Sequence, residues 1–379
     1  METKENELLN IIKNFDIKGN IEGLKPINNG IINTTYVIDC NYNGKINRYL
    51  LQKINTSIFT EPFKLMKNIE NVTKYINLND IESKVDINVI NTKNNLSLYV
   101  DSDSFSHKEY YRMYNYIDNT ISYNKSESLD VVYKTGRAFG HFCKVLRDYP
   151  INDLEEIIKD FHNTQKRFDN FIKTYKLNPV NRNNGAFYQI SEIISRQDEC
   201  SLLVDLLANG KIPYRVTHND TKVNNVLMDC VTKEPVAVID LDTVMKGSGL
   251  YDYGDGVRSA ASSALEDEKD LSKVYINMDM FKAYTDGYLS EMAPYLNKCE
   301  VDNMANSIKV ITLELAIRFL DDYLSGDTYF KTNYEHHNLD RCKNQLKLVN
   351  DIDEKLEEMN SYIKESYNKY IGYSKVKKA

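Results

Sequence analysis

Apolar and polar positions alternate through residues 31–39 and again through 48–54, and Asn43-Gly44 between them is a pair suited to a tight hairpin. Residues 21–55 are therefore expected to open the chain as three antiparallel strands. From Glu61 to Leu78 the spacing becomes helical, with Phe63, Leu65, Met66, Ile69, Val72, Tyr75 and Ile76 on one stripe and Pro62 suited to a first turn. Segments 85–91, 96–101 and 109–117 again read as strands, the first two separated by the polar turn Thr92-Lys93-Asn94-Asn95. The expectation for residues 1–118 is a small lobe of antiparallel sheet with one helix.

Beyond the polar stretch 118–128, helical spacing dominates over 128–147, 161–175, 186–208, 272–291, 300–325 and 338–371. The exception is 213–242, where short β-type runs are punctuated by polar loops. The chain thus reads as α+β, with a larger, mainly helical second lobe over 119–379. Its 379 residues exceed what one core holds, since chains beyond roughly 250 to 300 residues usually divide.

A net charge of −7, without a basic cluster, gives no footprint for nucleic acid. No run of 18 apolar residues suggests a membrane span, and the first residues lack a secretory pattern, so a cytoplasmic protein is expected. Cys40, Cys143, Cys200, Cys230, Cys299 and Cys342 are scattered without metal spacing, which suits reduced thiols.

Candidate chemistry concentrates at His218-Asn219-Asp220-Thr221-Lys222-Val223-Asn224-Asn225 and, one presumed hairpin later, Ile239-Asp240-Leu241-Asp242. Phosphoryl transfer needs a group that orients the attacking hydroxyl and oxygens that hold Mg²⁺ on the phosphates. Asp220 suits the first task, and Asn225 and Asp240 are hard oxygen ligands suited to Mg²⁺ beside ATP. Lys222 could neutralise charge on the transferred group; the alternative is a solvated loop lysine. His218 reads as a scaffold that holds the loop. Asp240 and Asp242 share one face of an extended segment, which suits a metal site better than the flanking carboxyls of a glycosidase; Asp242 is either a supporting residue or a turn former.

The blocks at 217–227 and 238–244 resemble the aminoglycoside-phosphotransferase, or protein-kinase-like, superfamily, and more closely its N-acetylhexosamine 1-kinases. Similar blocks stand in order at 30–36, 55–59, 120–124, 265–273, 318–330 and 335–339. The resemblance implies a two-lobe kinase fold with ATP between the lobes. It implies Asp220 as base, Asn225 and Asp240 as Mg²⁺ ligands, Glu70 as the small-lobe helix glutamate, and Asp252 as a support beneath the catalytic loop. Asp255 could equally cap a helix beginning near Gly256.

Two nucleotide-lobe features are thin. The loop before Thr34 contains only Gly30, without a run of glycines to wrap phosphates. The strand lysine expected opposite Glu70 is replaced by Gln52, with Lys53 next to it and so on the opposite face unless a bulge intervenes. On the acceptor side, Arg318 and Tyr329 lie in the block that resembles the sugar-binding segment, and Asn33 in the block at the glycine loop. Ile31 and Ser259 depart from the family pattern at positions facing the sugar. The expected activity is ATP- and Mg²⁺-dependent phosphorylation of the anomeric hydroxyl of an N-acetylhexosamine. The alternatives are an aminoglycoside, homoserine-like or choline-like acceptor, for which Glu266-Asp267-Glu268 offers acidity unless it is a solvated helix face, and a nucleotide-binding pseudokinase. His336 and His337, side by side, do not suggest a metal site.

Overall fold

Five strands, β1 (Asn20–Ile27), β2 (Thr34–Tyr42), β3 (Lys45–Lys53), β4 (Tyr99–Asp101) and β5 (Glu109–Asn115), form an antiparallel sheet in the order β1-β2-β3-β5-β4. The structure is a computed structural model that describes residues 2–27, 32–83, 85–102, 108–125 and 128–376. Gly30 and Ile31 lie outside the described residues. Asn43 and Gly44 turn the β2–β3 hairpin with φ of 55° and 80°, the left-handed region that these two residue types tolerate best.

One face of the sheet packs on an N-terminal helix, α1 (Glu2–Ile12), through Leu8, Ile11 and Ile12 against Ile38, Leu51 and Met113. The small lobe therefore has two helices rather than the expected one. With most of its eleven positions polar, α1 lacks a long apolar stripe of its own and depends on the sheet for burial. The other face carries α2 (Pro62–Asn79), whose Leu65, Met66, Ile69 and Val72 are fully buried.

Residues 85–91 are not a strand. They run beside the C-terminal half of β5 with a single bridge, Val89 to Tyr114, because the side chain of Asn115 takes the N–H of Asn88 that a ladder would use. The expected strand at 96–101 shortens to β4.

After β6 (Thr120–Ile121) come α3 (Leu129–Val145), α4 (Thr164–Leu177), α5 (Phe187–Ser195), α6 (Gln197–Cys200) and α7 (Leu202–Ala208). The single helix expected over 186–208 is thus three, broken at Arg196 and Ser201. Arg196 leaves the helix path to pair with Asp353 and Glu199. Strands β7 (Arg215–Thr217), β8 (Val226–Asp229), β9 (Pro235–Val238) and β10 (Met245–Gly247) are short, and β8 is flanked by β6 and β9. Helices α8 (Gly249–Ala261), α9 (Met278–Met292), α10 (Lys298–Ser325) and α11 (His337–Val376) complete the larger part.

Two elements fix the site's frame. Helices α3 and α9 cross closely because Gly136 and Gly287 have no side chain: an added Cβ would meet Tyr284 O at 2.2 Å or Tyr133 O at 2.0 Å. Asn68, fully buried on α2, donates to Val244 O at 3.0 Å and Glu155 O at 2.9 Å, which ties the small-lobe helix to the segment following Asp240. Among the described residues no helix is long and apolar enough to cross a membrane.

Candidate active site

The loop after β7 is held from beneath by α8. Both carboxylate oxygens of Asp252 accept backbone N–H groups, from His218 and Asn219, each at 2.8 Å. Thr221 N donates to Asp255 Oδ2 at 3.0 Å, and Thr221 Oγ1 to Asp252 O at 2.7 Å. Asp255 therefore does not cap a helix. α8 begins seven residues earlier than expected, at Gly249 with Ser248 as its cap, which leaves Asp255 in mid-helix facing the loop. Asp252, 1% exposed, is pushed up to about 6, chiefly by burial.

His218 is fully buried between Phe139 and Phe142. Its Nε2 lies 2.8 Å from Ile239 O and its Nδ1 3.3 Å from Asp220 N, so the ring bonds backbone on both sides. One imidazole thus joins the loop of Asp220 to the strand end of Asp240. Asn219, at φ 65°, and Asp240, at φ 64°, both occupy the left-handed region, a costly backbone state concentrated at working sites.

Asp220, Asn225 and Asp240 are brought together. Asn225 Nδ2 donates to Asp220 O at 2.8 Å and Oδ2 at 3.2 Å, which turns the amide oxygen of Asn225 the other way. The Asn225 carbonyl accepts from Ile239 N at 2.9 Å, so the two ligand candidates sit on paired strand ends. Lys222 Nζ stands 2.8 Å from Asp220 Oδ1. Surrounding protein disfavours charge on Asp220, but Lys222 outweighs it and holds the carboxyl below its ordinary value, hence ionised. Asp240 faces the open cleft, yet the protein behind it displaces water and Asp242 and Asp220 repel it, so its carboxyl is pushed up to about 6. Among the described residues no three His, Cys, Asp or Glu side chains form a metal cage, so an ion held here needs oxygens from elsewhere.

Asp242 points back into the small lobe. Its Oδ1 lies 2.5 Å from Arg112 Nη1, and its Oδ2 accepts from Asn33 Nδ2 at 2.7 Å. Asn33 also takes Asn55 N at 3.0 Å, so it belongs to the junction of glycine loop, strand and Asp242 rather than to the α10 side. Gln52 and Arg112 are cross-strand neighbours on the cleft face, with Arg112 Nε donating to Gln52 Oε1 at 2.9 Å. Lys53 lies on the α1 face, paired with Glu109, so it is not brought to the site. Glu70 is half-buried on α2 and makes no ion pair among the described residues. Sequence reasoning missed Arg112, although a charge flanked by Tyr110, Tyr111, Met113 and Tyr114 in the middle of β5 was the available signal.

Glu266-Asp267-Glu268 is a turn, neither a helix face nor free acidity. Glu266 pairs with Arg258 at 2.8 Å, Arg258 pairs with Asp255 at 2.8 Å, and Asp267 lies 3.4 Å from the buried His337. Arg318 and Tyr329 meet elsewhere, on the α10 side of the loop. The Arg318 guanidinium lies 5.3, 6.0 and 5.5 Å from the rings of Phe161, Tyr329 and Phe330, and makes neither an ion pair nor a hydrogen bond among the described residues. Asp322 holds the tyrosine segment by accepting Tyr329 N at 2.8 Å and Phe330 N at 2.9 Å. His162, beside Phe161, bonds Glu314 at 2.8 Å and reaches Asn219 O at 3.3 Å, which links this corner to the residue before Asp220.

The family described as APH, phosphotransferase enzyme family, matches residues 23–272. The chain belongs to that family. Its span runs from β1 past α8 and includes the Asp220 loop, Asn225, Asp240 and Asp252.

Solved structures share the family's two-lobe fold. A microcompartment-associated aminopropanol kinase is 16% identical, with a TM-score of 0.62 over 95% of this chain and 99% of that one. The amicoumacin kinase hAmiN, solved in complex with AMP-PNP, Ca²⁺ and Ami, is 13% identical, with a TM-score of 0.62 over 91% and 96%. Choline kinase from Cryptosporidium parvum Iowa II is 14% identical, with a TM-score of 0.58 over 95% and 99%. The chain is a member of this phosphotransferase family with a protein-kinase-like α+β fold.

Proposed function

We propose that the chain transfers the terminal phosphoryl group of ATP to the anomeric hydroxyl of an N-acetylhexosamine, with residues 1–118 as the nucleotide lobe and 119–379 as the catalytic and acceptor lobe. The observation that carries the transfer is the convergence of an ionised Asp220, its Lys222 partner and the Asn225–Asp240 strand ends on one edge of the cleft. The acceptor oxygen attacks the γ-phosphorus, its proton passes to Asp220, and ADP departs. Lys222, already at 2.8 Å from the base, offsets charge that builds as the proton moves.

Asn225 and Asp240 fit a divalent cation. The crowding that pushes Asp240 up to about 6 is relieved by positive charge, and the outward-turned amide oxygen of Asn225 offers a second hard ligand. When bound, Mg²⁺ would supply neutralisation of the phosphate charges. The amicoumacin kinase, solved with AMP-PNP and Ca²⁺, makes a nucleotide and a divalent ion reasonable company for this fold.

Arg318 favours a neutral, hydroxyl-rich acceptor over a cationic one such as the choline of the Cryptosporidium relative. An unpaired guanidinium within a set of aromatic rings repels an ammonium group but donates well to ring hydroxyls and an acetamido oxygen. The acid once available for a cation, Glu266, is already taken by Arg258. ADP release with a panel of sugars and amino alcohols, followed by phosphorus NMR of the product, tests the reading. An acid-labile anomeric phosphate from an N-acetylhexosamine is expected. A stable ester on another hydroxyl, turnover restricted to amino alcohols, or Mg-ATP binding without any turnover would each replace it.

A further inference from the structure

Arg112 is the most buried charge of the small lobe, 1% exposed, and its guanidinium bridges two parts of the molecule. On one side it donates from Nε to Gln52 at the position expected of a strand lysine. On the other, Nη1 stands 2.5 Å from Asp242 Oδ1, two residues beyond Asp240. The two form a buried ion pair, while Asn33 fixes the other oxygen of Asp242. Tyr114 closes the remaining side, its ring 5.3 Å from the guanidinium carbon.

We propose that Arg112 is a positioning residue for the nucleotide site: by holding Asp242 against β3 and β5, it fixes the 240–243 turn so that Asp240 faces the phosphates. The inference rests on the reading of this cleft as an Mg²⁺–nucleotide site. Arg112 is too deeply covered to touch the nucleotide and acts through the turn. Asp240, held at φ 64°, keeps that conformation only while its surroundings enforce it, and among the described residues Arg112 is the charged contact to this turn that comes from the small-lobe sheet. A buried charge pair contributes little net stability against an apolar pair, so its worth here lies in orientation.

The test is ADP binding by calorimetry, with and without Mg²⁺, for wild type, R112M, D242N and the double variant R112M/D242N, alongside thermal melts. The reading is the gain in ADP affinity that Mg²⁺ brings. R112M leaves Asp242 buried and unpaired and is expected to melt earlier; the double variant removes both charges and is expected to recover the melt. Metal-free ADP affinity should stay at the wild-type value in the double variant. Its Mg²⁺-linked gain should fall by roughly tenfold to a hundredfold, the loss common when a partner that orients a metal ligand is removed. A double variant with the full wild-type gain makes the pair merely structural and overturns the inference. A double variant that loses metal-free affinity instead makes Arg112 a direct phosphate contact and also overturns it. Wild type that binds no ADP under either condition overturns the nucleotide reading itself.

Discussion

Asp252 spends both carboxylate oxygens on two successive backbone amides, those of His218 and Asn219, each at 2.8 Å, and so sets the path of the chain into Asp220 from the helix beneath the loop. A side chain of one helix thereby determines where the base sits. In the Asp252→Asn variant one acceptor becomes a donor facing an N–H, a buried mismatch that costs about 1–3 kcal/mol. The expected outcome is a lower melting temperature and a kcat reduced by about 10²-fold through displacement of the loop. Melting curves with steady-state kinetics check it; an unchanged kcat would contradict it.

On the acceptor side, Arg318→Met removes a cation that has neither an ion pair nor a hydrogen bond among the described residues, while keeping its bulk against Phe161 and Phe330. The acceptor KM is expected to rise about tenfold to a hundredfold, the worth of one or two charged hydrogen bonds, with the ATP KM unchanged. Equal shifts in both constants would place Arg318 outside acceptor recognition.

The helix crossing is the most sensitive structural point. Gly136→Ala places a methyl group 2.2 Å from Tyr284 O, and backbone cannot rotate away as a side chain does. A loss of about 1–3 kcal/mol in denaturant unfolding is expected, from overpacking alone. Wild-type stability would mean that α3 and α9 are farther apart than described.

A pH-dependent contribution comes from His141, Lys144 and Glu291, where Lys144 Nζ lies 2.7 Å and His141 Nδ1 3.7 Å from Glu291 Oε2, and Asp80 lies 3.0 Å from His141 Nε2. Burial opposes charge on Glu291, yet His141 and Lys144 prevail and hold it at about 2, below its usual 4.5. Burial likewise opposes charge on His141, and Glu291 with Asp80 raise it above 6.5. The depressed carboxyl stabilises the fold above 4.5 and loses that effect as pH falls toward 2. The raised imidazole stabilises below 6.5 and loses its effect as pH climbs through the folded value. The cluster therefore contributes most between these limits. Glu291→Gln should cost on the order of 2 kcal/mol at about pH 5.5 and much less at about pH 3, read by denaturant unfolding at each pH.

Much of this was legible along the chain because short-range rules govern it. The Asn43-Gly44 hairpin, the stripe of α2 and the polar strand ends at 217–225 and 239–242 each carry their own local signal. What escaped depends on contacts between distant residues. α1 is ordered by the sheet face it covers, and α8 hides its start behind three glycines within eight residues. Asn115 takes over a ladder bond from residue 88, and Arg196 breaks a helical stripe to reach Asp353. Arg112 was visible only as an oddity, a cation inside a strand, because its partners lie 60 and 130 positions further or back in sequence terms at Gln52 and Asp242. Glu266 likewise read as acidity until Arg258 was found beside it.

The central claim is that Asp220 takes the acceptor's proton. Asp220→Asn keeps the shape and its contact with Asn225 but removes the basic oxygen, so the decisive measurement is single-turnover phosphoryl transfer by this variant next to its ADP affinity. A rate lowered by about 10²- to 10⁴-fold with ADP binding unchanged is the expected result. Transfer at the wild-type rate, with the variant folded and saturated with both substrates, would contradict it.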